Sequence, residues 1–591
     1  MNIRWIKKVV LIHIIHYRHF MCYYEHEVDI IKFKKWCFMF VMNTIRNFDK
    51  EYIWIAILCM AAFFIHNSLL PTDIMESRNI VTAREMVSDG NWMVPTMNGE
   101  LRLEKPPLPT WVAAVIERVA PDNLGAQRIA AGVMGVVWVI FMYLTAQYIT
   151  RRRDFAFITA IVFLTCYNVV LMGRTATWDI YCHSLMMGAI YFLMRGLYDD
   201  RYYEVVHKWR WFILSGIMMG LSFLSKGPVA FYALLFPFLI SMLIMQRPYM
   251  RGKWLPLVVM IVVCVVISSW WYVCLMAFHP QAFDHVVSKE SGSWINHNVR
   301  PWYYYWRFFT ETGVWTILML VSLAVPYWKH KVTMRREYII MVTWTIATLI
   351  LLSLMPEKKM RYLLPMMAPC SMTVAVILFY FVDRRKLDHT DKVIFRINGY
   401  VLAGITLLLP IGVHLVAYKR NVIDFGTTIF VDIMFLGIGL WLLFSTQRLR
   451  SKSLLNGIAA LFLVTECFLI GTIGKVLGNT SAHSIRETQK ITALNKLPFY
   501  YNTQEELRIE LVYEAHRKIK PLDLSDEKAV MKALPCALVT RNSAGMELSR
   551  SLLQKIDTVK IGVYDDNRHS KNDRHYNRIL VNQVTILKQK R

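Results

Sequence analysis

What most constrains this chain is a recurrence of apolar runs about 17–25 residues long, the length a helix needs to cross a hydrocarbon core of about 30 Å. They fall near residues 52–70, 127–149, 155–172, 177–196, 211–225, 228–246, 255–276, 308–328, 338–355, 362–382, 397–417, 427–445 and 453–474. Inside a bilayer every backbone polar group must be satisfied within the protein, so runs of this kind predict helices. About thirteen spans follow, and with them an all-α polytopic membrane protein. Composition agrees: of 591 residues 55% are hydrophobic and 19% are charged, against about 25% charged in a typical soluble domain.

A net charge of +26 is the footprint expected of a nucleic-acid binder, but its distribution argues otherwise. Arg46 and Lys50 precede the first run; Arg151, Arg152 and Arg153 follow the second, and Arg201, Lys208 and Arg210 the fourth. Arg247, Arg251 and Lys253 follow the sixth, the stretch 329–336 the eighth, Arg384, Arg385 and Lys386 the tenth, and Arg448, Arg450 and Lys452 the twelfth. When spans alternate, all these loops share one face, the cytoplasmic one. The partners this predicts are membrane lipids, with no nucleic acid. Ten scattered cysteines with no CxxC give no case for a disulfide framework or a zinc site.

Three regions result. Residues 1–50 are expected to be a cytoplasmic leader, mixing apolar residues with His, Lys and Arg and lacking a small-residue cleavage site. Met39 or Met42 would be a more ordinary start. Residues 51–474 form the membrane domain, with long outer loops at 71–126 and 277–307. Residues 475–591 are polar and predict a small α/β domain outside the membrane, with strands near 537–540 and 559–563 and helices near 504–518 and 545–556.

The distinctive polar clusters all fall on the outer face. Asp73 and Glu76 sit one helical turn apart beyond the first run, with Arg78 beside them; an ordinary solvated helix start has the same look. Glu104-Lys105-Pro106-Pro107 is a rigid charged turn whose lysine suits a lipid phosphate or a simple interface anchor. Asp179 lies at the mouth of the fourth run, where a carboxylate is costly unless it pairs or works, and Arg174 is its expected partner. Ser225-Lys226-Gly227-Pro228 lacks the GxxxxGK[ST] spacing of a nucleotide loop, and its lysine is as readily a snorkelling anchor. The loop from His279 to Tyr305 carries Glu290, His297, Arg300, Trp302 and Tyr303, aromatics suited to a sugar ring or an interface. Its His279, Glu290 and His297 match no metal-ligand spacing, so a divalent metal has no support. Residues 356–361 end in Arg361 and form a basic turn fit for an anionic headgroup.

Taken in order, these residues resemble the GT-C class of membrane glycosyltransferases, and within it the group of the lipid A aminoarabinose transferases and the dolichyl-phosphate-mannose protein mannosyltransferases. Glu76, Arg78, Arg84-Glu85-Met86, Glu104-Lys105-Pro106-Pro107, Arg174, Asp179, Lys226-Gly227-Pro228, His279-Pro280 and Arg300-Pro301-Trp302-Tyr303-Tyr304 occupy the group's motif slots over roughly residues 50–370. The slot of its first acidic residue holds Met75, with Asp73 two residues earlier. The resemblance implies a GT-C fold with an outward-facing cavity in a bacterial inner membrane, and a polyprenyl-phosphate-linked sugar donor. The acceptor is a lipid such as lipid A, a glycan or a protein, and the anomeric carbon is inverted. It implies Glu76 or Asp73 as base, with Asp179 orienting the acceptor or sharing that work. Arg78, Lys105 and Arg361 would hold the donor phosphate; Glu104 would fix Lys105, and Arg174, His297, Arg300 and Tyr303 would support the site. No cofactor is required. A lipid or sugar-lipid flippase is the alternative, but it predicts ionisable residues near the midplane and repeated halves, whereas these charges crowd at one face. A non-catalytic scaffold would tolerate loss of every carboxylate.

Overall fold

The structure is a computed structural model describing residues 50–199, 205–281, 283–284, 299–383, 386–418, 423–471, 483–567, 571, 573–574 and 576–590. The expected leader at 1–49 lies outside them. The chain divides into two units at Ile57/Leu58. Of the first, the described part is Lys50–Ile57, the start of helix α1 (Lys50–Phe63). The second holds everything else described.

It continues through α2 (Ile74–Asp89), α3 (Leu108–Val119), α4 (Leu124–Thr150), α5 (Arg153–Leu164), α6 (Tyr167–Gly173), α7 (Trp178–Tyr198), α8 (Val205–Lys226), α9 (Phe236–Met245) and α10 (Trp254–Phe278). Long helices follow at Arg335–Leu354, Met367–Asp383, His389–Val413, Phe425–Gln447 and Ser451–Val464. Among the described residues seven helical stretches are long and apolar enough to cross a membrane, or eight if the bent pair α5–α6 is one span, which does not confirm a count of thirteen. Three of the expected runs are broken locally. The run at 155–172 bends by 68° between α5 and α6. The run at 228–246 opens with a wide turn at Phe231–Leu235 and leaves α9 only ten residues. The run at 308–328 is cut into three short pieces: Gly313 takes φ 64, which ends regular helix, and Val325-Pro326 starts the last piece.

Packing of α8 on α10 depends on Gly216 and Gly220, a small-xxx-small pair. A Cβ at Gly216 would meet the Met260 carbonyl oxygen at 2.5 Å, and one at Gly220 would meet the Ile267 side chain at 2.6 Å.

The tail is a five-stranded sheet in the order β4-β3-β5-β7-β6. Strand β3 (Phe499–Asn502) pairs in parallel with β4 (Ile519–Leu522) and β5 (Cys536–Thr540), while β7 (Val581–Gln589) runs antiparallel to β5 and β6 (Ile556–Asp565). A short hairpin, β1 (Thr96–Met97) and β2 (Glu100–Leu101), lies in the first outer loop. The tail sheet and that loop share a core: Ile80 and Val81 of α2 pack with Ile485, Phe499, Val512, Ile519 and Val584. Polar contacts reinforce it. The Asn98 side chain donates to the Ile519 carbonyl and accepts its N–H, both at 2.8 Å, completing the open edge of β4. Arg84 donates to the Tyr513 carbonyl (2.7 Å) and to Asp122 (2.8 Å), and Arg486 of the tail also reaches Asp122. Glu85 holds the hairpin, accepting from the Asn98 and Gly99 N–H groups and the Thr96 hydroxyl.

Candidate active site

Helix α2 starts where it does because Asp73 caps it. Its backbone is extended (φ −82, ψ 170) and its carboxylate accepts the Glu76 N–H at 2.7 Å. Glu76, one turn on, is fully buried and committed elsewhere. Its Oε1 accepts from Arg128 Nε (2.7 Å) and the Ala176 N–H (2.8 Å), and its Oε2 from Arg128 Nη2 (2.6 Å). Arg128 also donates to the carbonyls of Asn67 and Leu70. Glu76 and Arg128 therefore pin three segments together, the start of α2, the first turns of α4 and the 174–178 turn.

Asp179, in the first turn of α7, is buried against Lys226, the last residue of α8. Gly227, at φ 73, lets the chain turn directly after that lysine. Lys226 Nζ also stands 5.0 Å above the ring of Tyr362. Arg361, in the short helical turn Met360–Met366, lies within electrostatic reach of both Asp179 and Asp73, and its Nε is buried without a hydrogen-bond partner among the described residues. Glu357 accepts from Lys359 Nζ (2.6 Å) and the Tyr362 hydroxyl (3.2 Å). Asp73, Asp179, Lys226 and Arg361 thus converge from the start of α2, the start of α7, the end of α8 and the 360–366 turn.

Beside them lies a cleft of about 560 Å³. Lys105, Lys226, Glu357 and Tyr362 give it a polar end, and Phe223, Val229, Tyr272 and Phe283 an apolar wall. Trp271, behind the wall, donates its indole N–H to the Met93 carbonyl and so fixes α10 to the outer loop.

Other residues singled out in the sequence take other partners, although Glu104 lines the cleft beside Lys105. Arg174 does not partner Asp179. Its guanidinium donates to the Ala61 and Ala62 carbonyls and pairs with Glu466 at 2.6 Å, a partner from far along the chain within an apolar run. Glu104 pairs with Arg102 at 2.8 Å. Arg78 is not on the cleft wall; it faces Arg102, Glu104, Arg508 and Glu510, and burial, then the neighbouring Arg102, holds its pKa below the usual value. Arg300 is exposed and works through its backbone, which bonds the Pro356 carbonyl and accepts from Lys358 Nζ, holding the 356–361 turn. Tyr303 is exposed and packs edge-on to Trp302. His297 and Glu290 lie outside the described residues. Among the described residues no three His, Cys, Asp or Glu side chains converge as a metal site.

Sequence reasoning missed Arg128, Glu466 and Arg102 and undervalued Lys226. The signal was present for three of them: each is an ionisable residue in or at the edge of an apolar run, where burial obliges it to find an opposite charge.

A family model described as dolichyl-phosphate-mannose-protein mannosyltransferase matches residues 104–272, the stretch holding Lys105, Asp179 and Lys226. An undecaprenyl phosphate-alpha-4-amino-4-deoxy-L-arabinose arabinosyl transferase from Yersinia enterocolitica is 26% identical over 413 residues, covering 66% of this chain and 72% of that protein. One of the same name from Proteus mirabilis is 24% identical, over 59% of this chain and 63% of its own length. The crystal structure of ArnT from Cupriavidus metallidurans bound to undecaprenyl phosphate superposes with a TM-score of 0.63 at 17% identity, over 93% of this chain and 98% of that one. Its apo form gives the same score at 16% identity, over 94% and 98%. The likeness to these structures establishes the fold.

Proposed function

We propose that this glycosyltransferase of the GT-C class, which resembles the aminoarabinose transferases, moves a sugar from a polyprenyl-phosphate donor to lipid A. We place the reaction on the periplasmic side of a bacterial inner membrane, where the alternation of basic loops puts this end of the helices. The observation that carries the proposal is the convergence of Asp73, Asp179, Lys226 and Arg361 beside an apolar cleft with Lys105 on its wall. Inverting transfer needs a base on the acceptor side and cations where the phosphate departs. In this reading the carrier chain lies along Phe223, Val229, Tyr272 and Phe283, and the leaving phosphate faces Lys105 on the cleft wall, with Arg361 behind it, within electrostatic reach of Lys226 and Asp179. Asp73 accepts the acceptor's proton as its oxygen attacks the anomeric carbon and the bond to phosphate breaks. Asp73 is favoured over Glu76 because both oxygens of Glu76 are already engaged by Arg128 and a backbone N–H. Asp179, held by Lys226, orients the acceptor. A glycan or protein hydroxyl would react in the same way; lipid A is preferred because relatives of this chain bear the name of aminoarabinose transferases.

The test uses purified protein in nanodiscs with radiolabelled polyprenyl-phosphate sugars and a membrane-lipid extract, comparing wild type with Asp73→Asn, Asp179→Asn and Lys105→Ala. Label moving to lipid A in the wild type and lost in the variants is expected. No transfer from any polyprenyl donor would overturn the proposal.

A further inference from the structure

A second, smaller cavity of about 210 Å³ lies at the far end of the helices from the candidate active site. Helix α7 measures the separation: Asp179 lies in its first turn and Tyr198 ends it, and 21 residues at about 1.5 Å each put roughly 30 Å between the two. The basic loops assign this end to the cytoplasmic side. Four elements meet around the cavity. Tyr148 and Arg151 come from the end of α4, Tyr198 from the end of α7, Gln246 from the end of α9, and Arg336 and Glu337 from the start of the helix Arg335–Leu354. Hydrogen bonds tie these ends together. The Tyr198 hydroxyl donates to the Gln246 carbonyl at 2.9 Å, the Lys253 ammonium to the Leu197 carbonyl, and Arg336 to the Met245 carbonyl at 3.4 Å. The charges on the wall are not used on one another. Nearby Arg195 pairs with Asp199 at 3.1 Å, but Arg151, Arg336 and Glu337 have no ion pair among the described residues. Arg151 caps α4 at φ 60, with its N–H on the Gln147 carbonyl at 2.8 Å and its guanidinium 4.7 Å from the Tyr148 ring. That backbone suits Gly or Asn, so the cap does not account for an arginine.

We propose that this cavity binds the headgroup of a phospholipid of the adjoining leaflet that carries both a phosphate and a primary ammonium, as phosphatidylethanolamine does. Arg151 and Arg336 take the phosphate, where guanidinium forks match the oxygens. Glu337 takes the ammonium, with the Tyr198 oxygen, whose proton is committed to Gln246, as a second acceptor. Tyr198 lies within electrostatic reach of Arg336, so the two halves of the site adjoin. Size agrees. Pockets that enclose whole small molecules run to about 300–1,000 Å³, whereas about 210 Å³ admits a headgroup and leaves the chains outside. A path for those chains is present. Phe236, Ile240, Leu243 and Ile244 of α9 recur at i, i+4, i+7 and i+8, exposed except for the half-buried Ile240, and form an apolar stripe leading away from Gln246. Exposed Tyr249 and Trp254, just past that end of α9, mark the level of the interface. A purely anionic headgroup would set a phosphate against Glu337 with nothing to offset it, and a choline headgroup has no N–H to donate. The site is separate from the transfer chemistry and does not depend on the function proposed above.

The full chain, delipidated in detergent, is titrated with phosphatidylethanolamine, phosphatidylglycerol or phosphatidylcholine, and bound lipid is counted by native mass spectrometry, with inorganic phosphate as competitor. Wild type is expected to bind phosphatidylethanolamine about ten-fold or more tightly than the other two, the value of one charged hydrogen bond. Arg151→Ala and Arg336→Ala should each weaken it by about ten- to a hundred-fold. The lipid-free unfolding temperature should stay unchanged, since both side chains are exposed. Arg336→Lys, which keeps the charge without the fork, should lose less. Glu337→Gln should weaken phosphatidylethanolamine but not phosphatidylglycerol and so remove the preference. Equal binding of the three lipids by wild type, or undiminished binding by both alanine variants, would place the lipid elsewhere and overturn the proposal. A preference that survives Glu337→Gln would mean that the ammonium is not read there and would overturn it too. Displacement of the lipid by millimolar inorganic phosphate would make the cavity a site for the free ion, with the same consequence.

Discussion

Two neighbouring carboxylates on one helical turn are expected to fail in opposite ways when neutralised. Glu76→Gln leaves the Arg128 guanidinium, 1% exposed, without its counter-charge and sets an amide N–H₂ against Nη2, or against Nε and the Ala176 N–H if flipped. Breaking a buried pair by removing one partner costs about 3–5 kcal/mol, roughly a hundred- to several-thousand-fold in the folded-to-unfolded ratio. Asp73→Asn removes a charge of the same kind but keeps a side-chain oxygen able to accept the Glu76 N–H, and Asn caps helices about as well as Asp. Its stability should change by less than about 0.5 kcal/mol, while turnover falls about 10²–10⁴-fold if Asp73 is the base. Thermal unfolding in detergent, paired with initial rates per folded molecule, separates the two. A Glu76→Gln protein that unfolds like wild type yet has lost its turnover would refute the assignment, and so would an Asp73→Asn protein with near-normal rates.

Gly173→Ala would place a methyl group 2.4 Å from two ring carbons of the fully buried Phe63, an overpacking cost of about 1–3 kcal/mol visible as a lower unfolding temperature. Asn98→Ala removes both bonds to Ile519, about 1–3 kcal/mol in all, and should speed amide exchange along β4 while leaving β6 and β7 protected. In the tail, burial pushes Asp566 up to about 7, with Glu514 and Asp565 adding to it against hydrogen bonds from Ser484 and Ile485. Relative to about 3.9 unfolded, the folded state holds the extra proton, so this stabilisation is complete in acid and is lost as pH rises to 7. Burial, then Arg84, pushes His516 down to about 4 despite Asp122. Its stabilisation is complete above about 6.5 and is lost as pH falls to 4. The two slopes oppose one another, so Asp566→Asn should make the tail selectively acid-sensitive and His516→Asn selectively alkali-sensitive, by hydrogen exchange at pH 5 and 8. Shifts of the same sign in both variants would refute the pairing.

The long uninterrupted spans were legible because hydropathy alone sets them: the run at 255–276 became α10, and that at 127–149 became α4. The broken ones were not, since a bend at Cys166 or a wide turn at Phe231 is set by neighbouring helices and leaves no mark on apolar content. Within the site, Asp73, Asp179, Lys105 and Arg361 could be picked out because charge beside an apolar run is conspicuous. Their partners could not, because pairing is settled in three dimensions. Arg174 stands one turn from Asp179 yet bonds Glu466, while Lys226 crosses from the next helix. In the tail, β3, β4 and β7 were missed: β3 and β4 are four residues each with burial only at their ends, and β7 is buried on both faces over its middle, so none shows an alternating pattern.

The seam between the first outer loop and the tail also has a consequence in time. Arg84 meets Tyr513 across 429 positions, and Asn98 meets Ile519 across 421. At about 5–20 residues per second, the ribosome delivers those partners roughly 20–90 s after the loop itself has emerged. Until then α2 has no sheet against which to bury Ile80 and Val81. A nascent or prematurely terminated chain would be threaded through the membrane with its acidic loop unbraced, so the last stretch to be translated acts as the release on an enzyme whose candidate reactive groups were made long before.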